Sequence, residues 1–161
     1  MTKTKETRQV LQNKKSAFEK DKFMMKTKKW TYYYRNNLHK FCEDYLNINY
    51  LKLFQIILLT MMDFSNHFMF IASRGLGKTF LVALYCVCRC VLYPGTKIIV
   101  ASGNLNQAKE IIGKIEKEFI PKSPLLNMEI KKINTTGSPY VLFGNGSFIE
   151  AVASNQGARS R

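Results

Sequence analysis

Acidic residues are scarce in this sequence. Its 161 residues include 11 Asp and Glu against 25 Lys and Arg, which gives a formal net charge of +14. The excess is uneven: residues 1–40 hold 12 basic and 3 acidic side chains, and residues 41–161 hold 13 and 8. A basic N-terminal segment suits contact with nucleic-acid phosphates through counterion release, and it equally suits a solvated, poorly ordered extension. Both interpretations stay open.

The sequence also lacks an apolar run long enough to cross a bilayer. The stretch Leu51–Met62 is followed at once by Asp63, and the later stretch FLVALYCVCRCVLY contains Arg89. Both fall short of the roughly 20 apolar residues that a spanning helix needs. The start, MTKTKETRQV, contains no apolar segment of a secretory signal. With 46% apolar residues, the chain is predicted to be globular, cytoplasmic and without a membrane partner.

Cysteine spacing typical of a metal site is missing as well. The last three of the four cysteines lie in the apolar run CVCRC, whose spacing is not C-x2-C. On a helix, Cys86 and Cys90 share a face on which Cys88 does not lie. The sequence therefore predicts buried, reduced thiols at all four positions, Cys42, Cys86, Cys88 and Cys90, which is typical of a cytosolic compartment.

The apolar segments that are present predict an α/β fold. Long stretches predict helices and short ones predict buried strands, in the order helix 49–64, strand 67–73, helix 78–93, strand 97–102 and helix 105–120. The first of these helices is expected to be buried through Leu51, Phe54, Leu58 and Met61. The last is predicted to be amphipathic, and its apolar face consists of Ala108, Ile111, Ile112, Ile115 and Phe119. Further strands are predicted at 128–134, 139–143 and 147–154, the last two joined by a hairpin at Gly144-Asn145-Gly146. This alternation favours a parallel sheet flanked by helices.

Residues 72–79, ASRGLGKT, have the composition of a phosphate-binding loop. They lie between a predicted strand and a predicted helix, as such a loop requires. Gly75 and Gly77 can adopt backbone conformations closed to other residues, and their amides, with those of the next two residues, would point at phosphate oxygens at the positive end of the helix. Lys78 would bridge the β- and γ-phosphates, and the Thr79 hydroxyl would take a place on Mg²⁺. The alternative is a glycine-rich turn that only caps a helix.

This loop, with the later stretches YPGTKIIVASGNLNQAKEIIGKIEKE and SPYVLFGNGSFIEAVASNQGARSR, resembles the ATPase half of a tailed-bacteriophage terminase large subunit, the motor that packages viral DNA. The resemblance covers residues 45–161, and the arginine inside the loop, Arg74, is its most specific part. The family tolerates departures at the first glycine, where this chain has Ala72. The resemblance therefore implies a variant nucleotide site rather than a decayed one.

The resemblance implies a fold and a set of site residues. The fold is a P-loop NTPase of the RecA or ASCE type with an added β-hairpin, divided into a basic, partly helical extension, 1–44, and an incomplete ATPase domain, 45–161. The catalytic residues are Lys78 and Arg74; Arg74 would sense the γ-phosphate or act as a cis arginine finger, and a surface salt bridge is the alternative. Mg²⁺ is bound through Thr79. The residues that bind ATP are Ser73, Arg74, Gly75, Leu76, Gly77, Lys78, Thr79 and Phe80, with Gln55 near the adenine.

The resemblance also implies parts that this sequence does not contain. The family's acidic pair, an Asp for Mg²⁺ and a Glu that orients water, follows a GARSR-like segment, and the sequence ends at Arg161. Glu150 lies in a predicted hairpin strand, which is the wrong context. We expect an N-terminal piece, truncated before the acidic-pair strand and the nuclease domain, that hydrolyses little ATP alone. The implied partners are double-stranded DNA, a small terminase subunit, the portal and other copies in a ring, in the cytoplasm of the host cell.

Two other functions remain open from the sequence. Another P-loop ATPase, such as a superfamily-2-like helicase, is one, because Ser102 and Gln107 resemble a segment with which such proteins contact nucleic acid. A non-catalytic DNA-binding remnant is the other, because the acidic pair is missing. The arginine in the loop and the NGSFIEAVAS hairpin favour the terminase interpretation over the helicase one.

Overall fold

A computed structural model describes residues 3–154 of the chain, with their side chains from Phe18 onward. The helices are α1 Lys3–Asn36, α2 Leu38–Asp44, α3 Leu53–Phe64, α4 Lys78–Leu92, α5 Leu105–Lys114 and α6 Pro124–Glu129. The strands are β1 Lys97–Ser102, β2 Ile130–Asn134, β3 Tyr140–Phe143 and β4 Phe148–Ala153. The chain divides into two compact units between Asn36 and Asn37, whereas the sequence-based boundary lay after residue 44.

The first unit is the single helix α1. Its apolar residues are spread around the helix instead of forming a stripe along one face. The side chains of residues 18–30 are exposed, among them Phe18 and Phe23. A helix without an apolar stripe has no face to bury, so its residues gain little from packing. Near its C-terminal end Trp30 packs edge-on against Tyr34, with ring centroids 4.9 Å apart.

The core of the second unit is built on α4. Eight of its residues are buried, which confirms the helix predicted at 78–93: Leu81, Ala83, Leu84, Cys86, Val87, Cys88, Cys90 and Leu92. The four cysteines are free and buried, as the sequence predicts. Burial raises the pKa of both Cys86 and Cys90 to about 12. These thiols therefore stay protonated at neutral pH and serve as small apolar side chains.

The sheet is mixed, in the order β1-β4-β3-β2. β1 pairs in parallel with β4, from Lys97 opposite Phe148 to Ser102 opposite Ala153, and β3 is antiparallel to both β4 and β2. The α/β class is therefore confirmed, but the predicted parallel sheet is correct for one pair of strands only. The two tight reversals after β2 and β3 force antiparallel neighbours, because a short turn cannot connect parallel strands.

The predicted hairpin between β3 and β4 is confirmed. Gly146 has φ +83°, a conformation that favours glycine. The side chain of Asn145 accepts a hydrogen bond from the Ser147 amide at 3.0 Å and donates one to the Cys90 carbonyl oxygen at 2.7 Å. The turn is thereby fixed to the last part of α4, which helps to hold β4 beside the helix that follows the loop.

The remaining helices agree with the sequence in position more than in burial. The apolar face predicted for helix 105–120 is buried throughout, although its last turn, Ile115–Phe119, is a π-helix. α3 confirms a helix within 49–64, but its predicted burial is wrong: only Leu59 is fully buried, and Phe54 and Met61 are exposed. The segment 128–134 begins as the end of α6 and becomes a strand at Ile130. Among the described residues, no helix combines the length and apolarity needed to span a membrane.

Candidate phosphate-binding loop

The segment that leads into the loop is not a strand. Residues 66–73 pair with none of the four described strands, and the side chains of Met69 and Ile71 are 87% and 95% exposed. The prediction of a buried strand at 67–73 is therefore wrong for this structure. The apolar pattern is present, but a strand also needs a neighbour that accepts and donates its backbone hydrogen bonds.

The start of this segment is fixed because α3 is attached to α4. Arg89 on α4 forms an ion pair with Asp63 near the end of α3, with Nη1 and Oδ1 3.0 Å apart. The Tyr85 hydroxyl donates a hydrogen bond to the Met62 carbonyl oxygen at 3.1 Å. The chain thus leaves α3 beside the C-terminal half of α4 and must return to its N-terminus, where the loop lies.

The loop places two left-handed glycines just before α4. Gly75 has φ +90° and Gly77 has φ +77°, the region that side chains rarely adopt. Gly77 is the residue that caps α4, and no side chain caps the helix there. The free amides of the first turn therefore face outward at the positive end of a 15-residue helix. This arrangement is able to bind an anion.

Lys78 turns back onto the loop. Its Nζ donates hydrogen bonds to the carbonyl oxygens of Ala72 at 2.6 Å and of Ser73 at 2.8 Å. Both partners are neutral and the side chain is exposed. A charged acceptor would compete well for this ammonium group, because hydrogen bonds between charged groups are stronger than those to neutral acceptors. The loop therefore holds its own cation where an anion would meet it.

The other predicted loop residues differ in exposure. Arg74 and Leu76 are exposed, and Arg74 belongs to none of the ion pairs formed by the described residues, so the salt-bridge alternative finds no partner there. Thr79 is half-buried in the first turn of α4. Phe80 is half-buried and packs edge-on against Phe119, with ring centroids 5.4 Å apart. Phe80 thus anchors the N-terminus of α4 in the core.

Gln55 lies beside the loop although it precedes Ala72, the first residue of the loop, by 17 positions. Its Oε1 accepts a hydrogen bond from the Lys52 amide at 3.0 Å, which fixes the side chain at the start of α3. Its Nε2 lies 3.2 Å from the point where a Cβ on Gly77 would be. The structure thus brings together Gln55 and the loop, and a side chain at Gly77 would be in tight contact with the Gln55 amide besides adopting an unfavourable φ angle.

Two residues that the sequence analysis did not select also lie at this place. The Tyr50 ring is 6.1 Å from the Phe80 ring, and the Tyr50 hydroxyl accepts a hydrogen bond from Lys122 Nζ at 2.7 Å. Tyr50 shortly precedes Gln55 in the sequence. An aromatic residue so close to the glutamine expected near the adenine could have indicated Tyr50 as a further site residue. No local sequence pattern connects Lys122 with Tyr50 or Gln55, because Lys122 comes near this segment only in the folded chain.

The remaining predicted positions have partners outside the loop. Ser102 and Gln107 are joined by a hydrogen bond, with Oγ and Oε1 2.7 Å apart, at the carboxyl end of β1. Glu150 lies inside β4, opposite Ile99 of β1 and Tyr140 of β3. Within the described residues, no cluster of three or more His, Cys, Asp or Glu side chains is arranged to hold a metal ion.

Comparison with known proteins gives one informative result. A family model described as "Terminase large subunit, T4likevirus-type, N-terminal" matches residues 69–160, which is 92 of the 161 residues. The matched region contains the whole loop and all four strands, and its last six residues lie outside the described part of the chain. Tyr50 and Gln55 precede it. No match is found among curated proteins.

Proposed function

Because the chain belongs to the T4likevirus-type terminase large-subunit family and matches the model of its N-terminal region, we propose that it is the ATP-binding portion of a motor that packages viral DNA. Membership in this family indicates a role in phage DNA packaging. The finer parts of the proposal are a P-loop NTPase fold, a Mg·ATP site at residues 73–80, and a coupling of ATP hydrolysis to DNA translocation.

One observation carries the assignment of ATP to this loop. Gly75 and Gly77 both have positive φ, directly before a long helix, and the next residue is a lysine whose ammonium group lies on the loop. Amides at a helix N-terminus and a lysine ammonium group are the two kinds of donor that a chain of phosphates requires. The residues present therefore fit a nucleoside triphosphate.

The proposed roles follow from the positions of the side chains. Lys78 would exchange the carbonyl oxygens of Ala72 and Ser73 for β- and γ-phosphate oxygens, and the Thr79 hydroxyl would be a ligand of Mg²⁺. The exposed Arg74 would offset charge on the terminal phosphate. Mg²⁺, when bound, would supply positive charge that offsets the charge of the phosphates. Gln55 would contact the nucleotide near the start of α3.

Calorimetry tests the proposal. We expect Mg·ATP to bind residues 1–161 and the Lys78→Ala variant to bind at least about tenfold more weakly, because a charge-assisted hydrogen bond contributes roughly 1.5–3 kcal/mol. Lys97→Ala removes another exposed lysine, at the start of β1, and serves as the matched control. Equal affinity of the wild type and the Lys78→Ala variant would contradict the assignment.

We further propose that double-stranded DNA is the substrate of translocation and that α1 contacts its backbone. The support is the charge of the segment, with 12 basic and 3 acidic residues among the first 40, and the exposure of the described side chains 18–30. A small terminase subunit, the portal and further copies in a ring are the proposed protein partners, in the cytoplasm of the host cell. A purely DNA-binding role without nucleotide remains the second candidate, and the same basic segment favours it.

A truncation tests the DNA contact. Each neutralised phosphate adds about 0.9 to the slope of log K against log salt. Deleting residues 1–30 should therefore lower both the DNA affinity and this slope, measured by fluorescence anisotropy across a salt series. If neither quantity changes, α1 is not a DNA-binding arm.

A further inference from the structure

Tyr50 presents an aromatic ring to solvent beside the candidate loop. It lies in the extended segment between α2 and α3, and its side chain is 51% exposed. On its inner side the ring approaches Phe80, whose own ring packs against the buried Phe119. These contacts support the ring on a row of aromatic residues that ends in the core, while its outer part stays open.

Lys122 fixes the orientation of this ring. Its Nζ donates a hydrogen bond to the Tyr50 hydroxyl at 2.7 Å and lies 4.6 Å from the ring centroid. These two distances place the ammonium group beyond the hydroxyl end of the ring and not above its centre. The backbone of Lys122 is fixed in turn, since its amide donates to the Phe119 carbonyl oxygen at 3.2 Å. The ring is thus held at its hydroxyl end while its face is not covered by the cation.

The position of the ring relative to the loop is set by the same short segment. The Tyr50 ring lies 6.1 Å from that of Phe80, which directly follows Thr79, and Gln55 Nε2 lies 3.2 Å from where a Cβ on Gly77 would be. Two side chains from residues 50–55 therefore flank the first turn of α4, the turn whose amides face the proposed phosphates. A nucleotide whose phosphates bind to that turn would extend its sugar and base away from it, toward the neighbouring surface formed by Tyr50 and Gln55.

We infer that Tyr50 is a base-stacking residue and Lys122 its positioning residue, so that this pair binds the nucleobase of the nucleotide; the inference rests on the proposed nucleotide site. A half-exposed ring that lies beside Phe80 and is held at its hydroxyl by Lys122 offers an aromatic surface to any planar base, and such stacking tolerates different bases because each has a π-face. The pair therefore adds affinity for a nucleoside triphosphate without choosing strongly between ATP and GTP.

Inorganic tripolyphosphate separates this contact from the loop, because it has phosphates but no base. Using residues 1–161 with Mg²⁺, we expect Tyr50→Leu to bind ATP and GTP roughly tenfold more weakly, the size expected for loss of one base stack, with no change for tripolyphosphate. Tyr50→Phe keeps the ring and loses the hydroxyl contact with Lys122, so it should bind both nucleotides more weakly than the wild type but more tightly than Tyr50→Leu. Tyr140→Leu, in which a half-buried tyrosine of β3 near Lys132 is changed, is the control and should leave all three affinities unchanged.

Each result has a distinct meaning. Unchanged ATP binding by Tyr50→Leu overturns the inference and leaves the proposed nucleotide site in place. An equal loss for ATP and tripolyphosphate also overturns it, because Tyr50 would then support the loop instead of the base. If the wild type binds neither ligand, the proposed nucleotide site fails, and the stacking role fails with it.

Discussion

Two apolar stretches flank the loop, HFMFIAS before it and FLVALYCVCRCVLY after it, and only the second is buried. Val87 and Cys88 in α4 are fully buried, whereas Met69 and Ile71 are almost fully exposed. A helix satisfies its backbone hydrogen bonds internally and needs neighbours only for its side chains. An extended segment needs a second strand for its backbone as well, and the segment before the loop has none among the described strands.

This difference shows what each side contributes to the loop. The helix after the loop is a rigid part of the core, so the amides of its first turn have fixed positions. The segment before the loop is held at its start by the contacts of α3 with α4 and at its end by the Lys78 hydrogen bonds, and it pairs with none of the described strands. Positional precision at this site therefore comes from α4 and from Gln55, and the preceding segment adds little to it.

The largest expected effect tests whether burial really differs between the two stretches. Leu84→Ala deletes a fully buried side chain and should lower the free energy of unfolding by about 2–5 kcal/mol. Ile71→Ala removes a comparable apolar side chain that is 95% exposed and should change it by no more than about 0.5 kcal/mol. Urea denaturation of both variants gives the two values. A loss above 2 kcal/mol for Ile71→Ala would show that the segment is packed in solution.

A smaller effect is expected where the two stretches meet. Gly77→Ala forces a side chain into φ +77° and brings its Cβ to 3.2 Å from Gln55 Nε2, so we expect a loss of about 1–2 kcal/mol in the free energy of unfolding. Gly103→Ala is the matched control. That glycine has no positive φ and no neighbour within 4 Å of an added Cβ, so the variant should be neutral or slightly more stable. Urea midpoints for the two variants provide the comparison, and equal midpoints would mean that the loop relaxes freely.

Sequence patterns predicted the elements that depend on local contacts. α4, the apolar face of α5 and the hairpin at Gly144-Asn145-Gly146 follow from periodicity, proline positions and turn chemistry, and all three are confirmed. The helix at α3 was also correct. The special backbone conformations expected of Gly75 and Gly77 are confirmed by their positive φ angles, whereas phosphate binding by the loop stays a prediction.

Features that depend on distant partners were not predictable in the same way. The strand expected at 67–73 is wrong because an apolar run does not reveal whether another strand lies beside it. The exposure of one side of α3 depends likewise on which elements pack against that helix. The antiparallel pairs of the sheet depend on which strands become neighbours. The approach of Lys122 to Tyr50 joins residues 72 positions apart, and no periodic pattern reaches that far.

The strand order β1-β4-β3-β2 has a consequence for synthesis of the chain. β4 is the last of the four strands to leave the ribosome, yet it lies between the earlier β1 and β3 and is the only strand that pairs with both. Until residues 148–153 have emerged, β1 and the β2–β3 hairpin are separate pieces with no hydrogen bonds between them in the final arrangement. Sheet assembly therefore waits for β4, and α4 with the loop at its N-terminus is exposed to chaperones and proteases while residues 93–153 are synthesised.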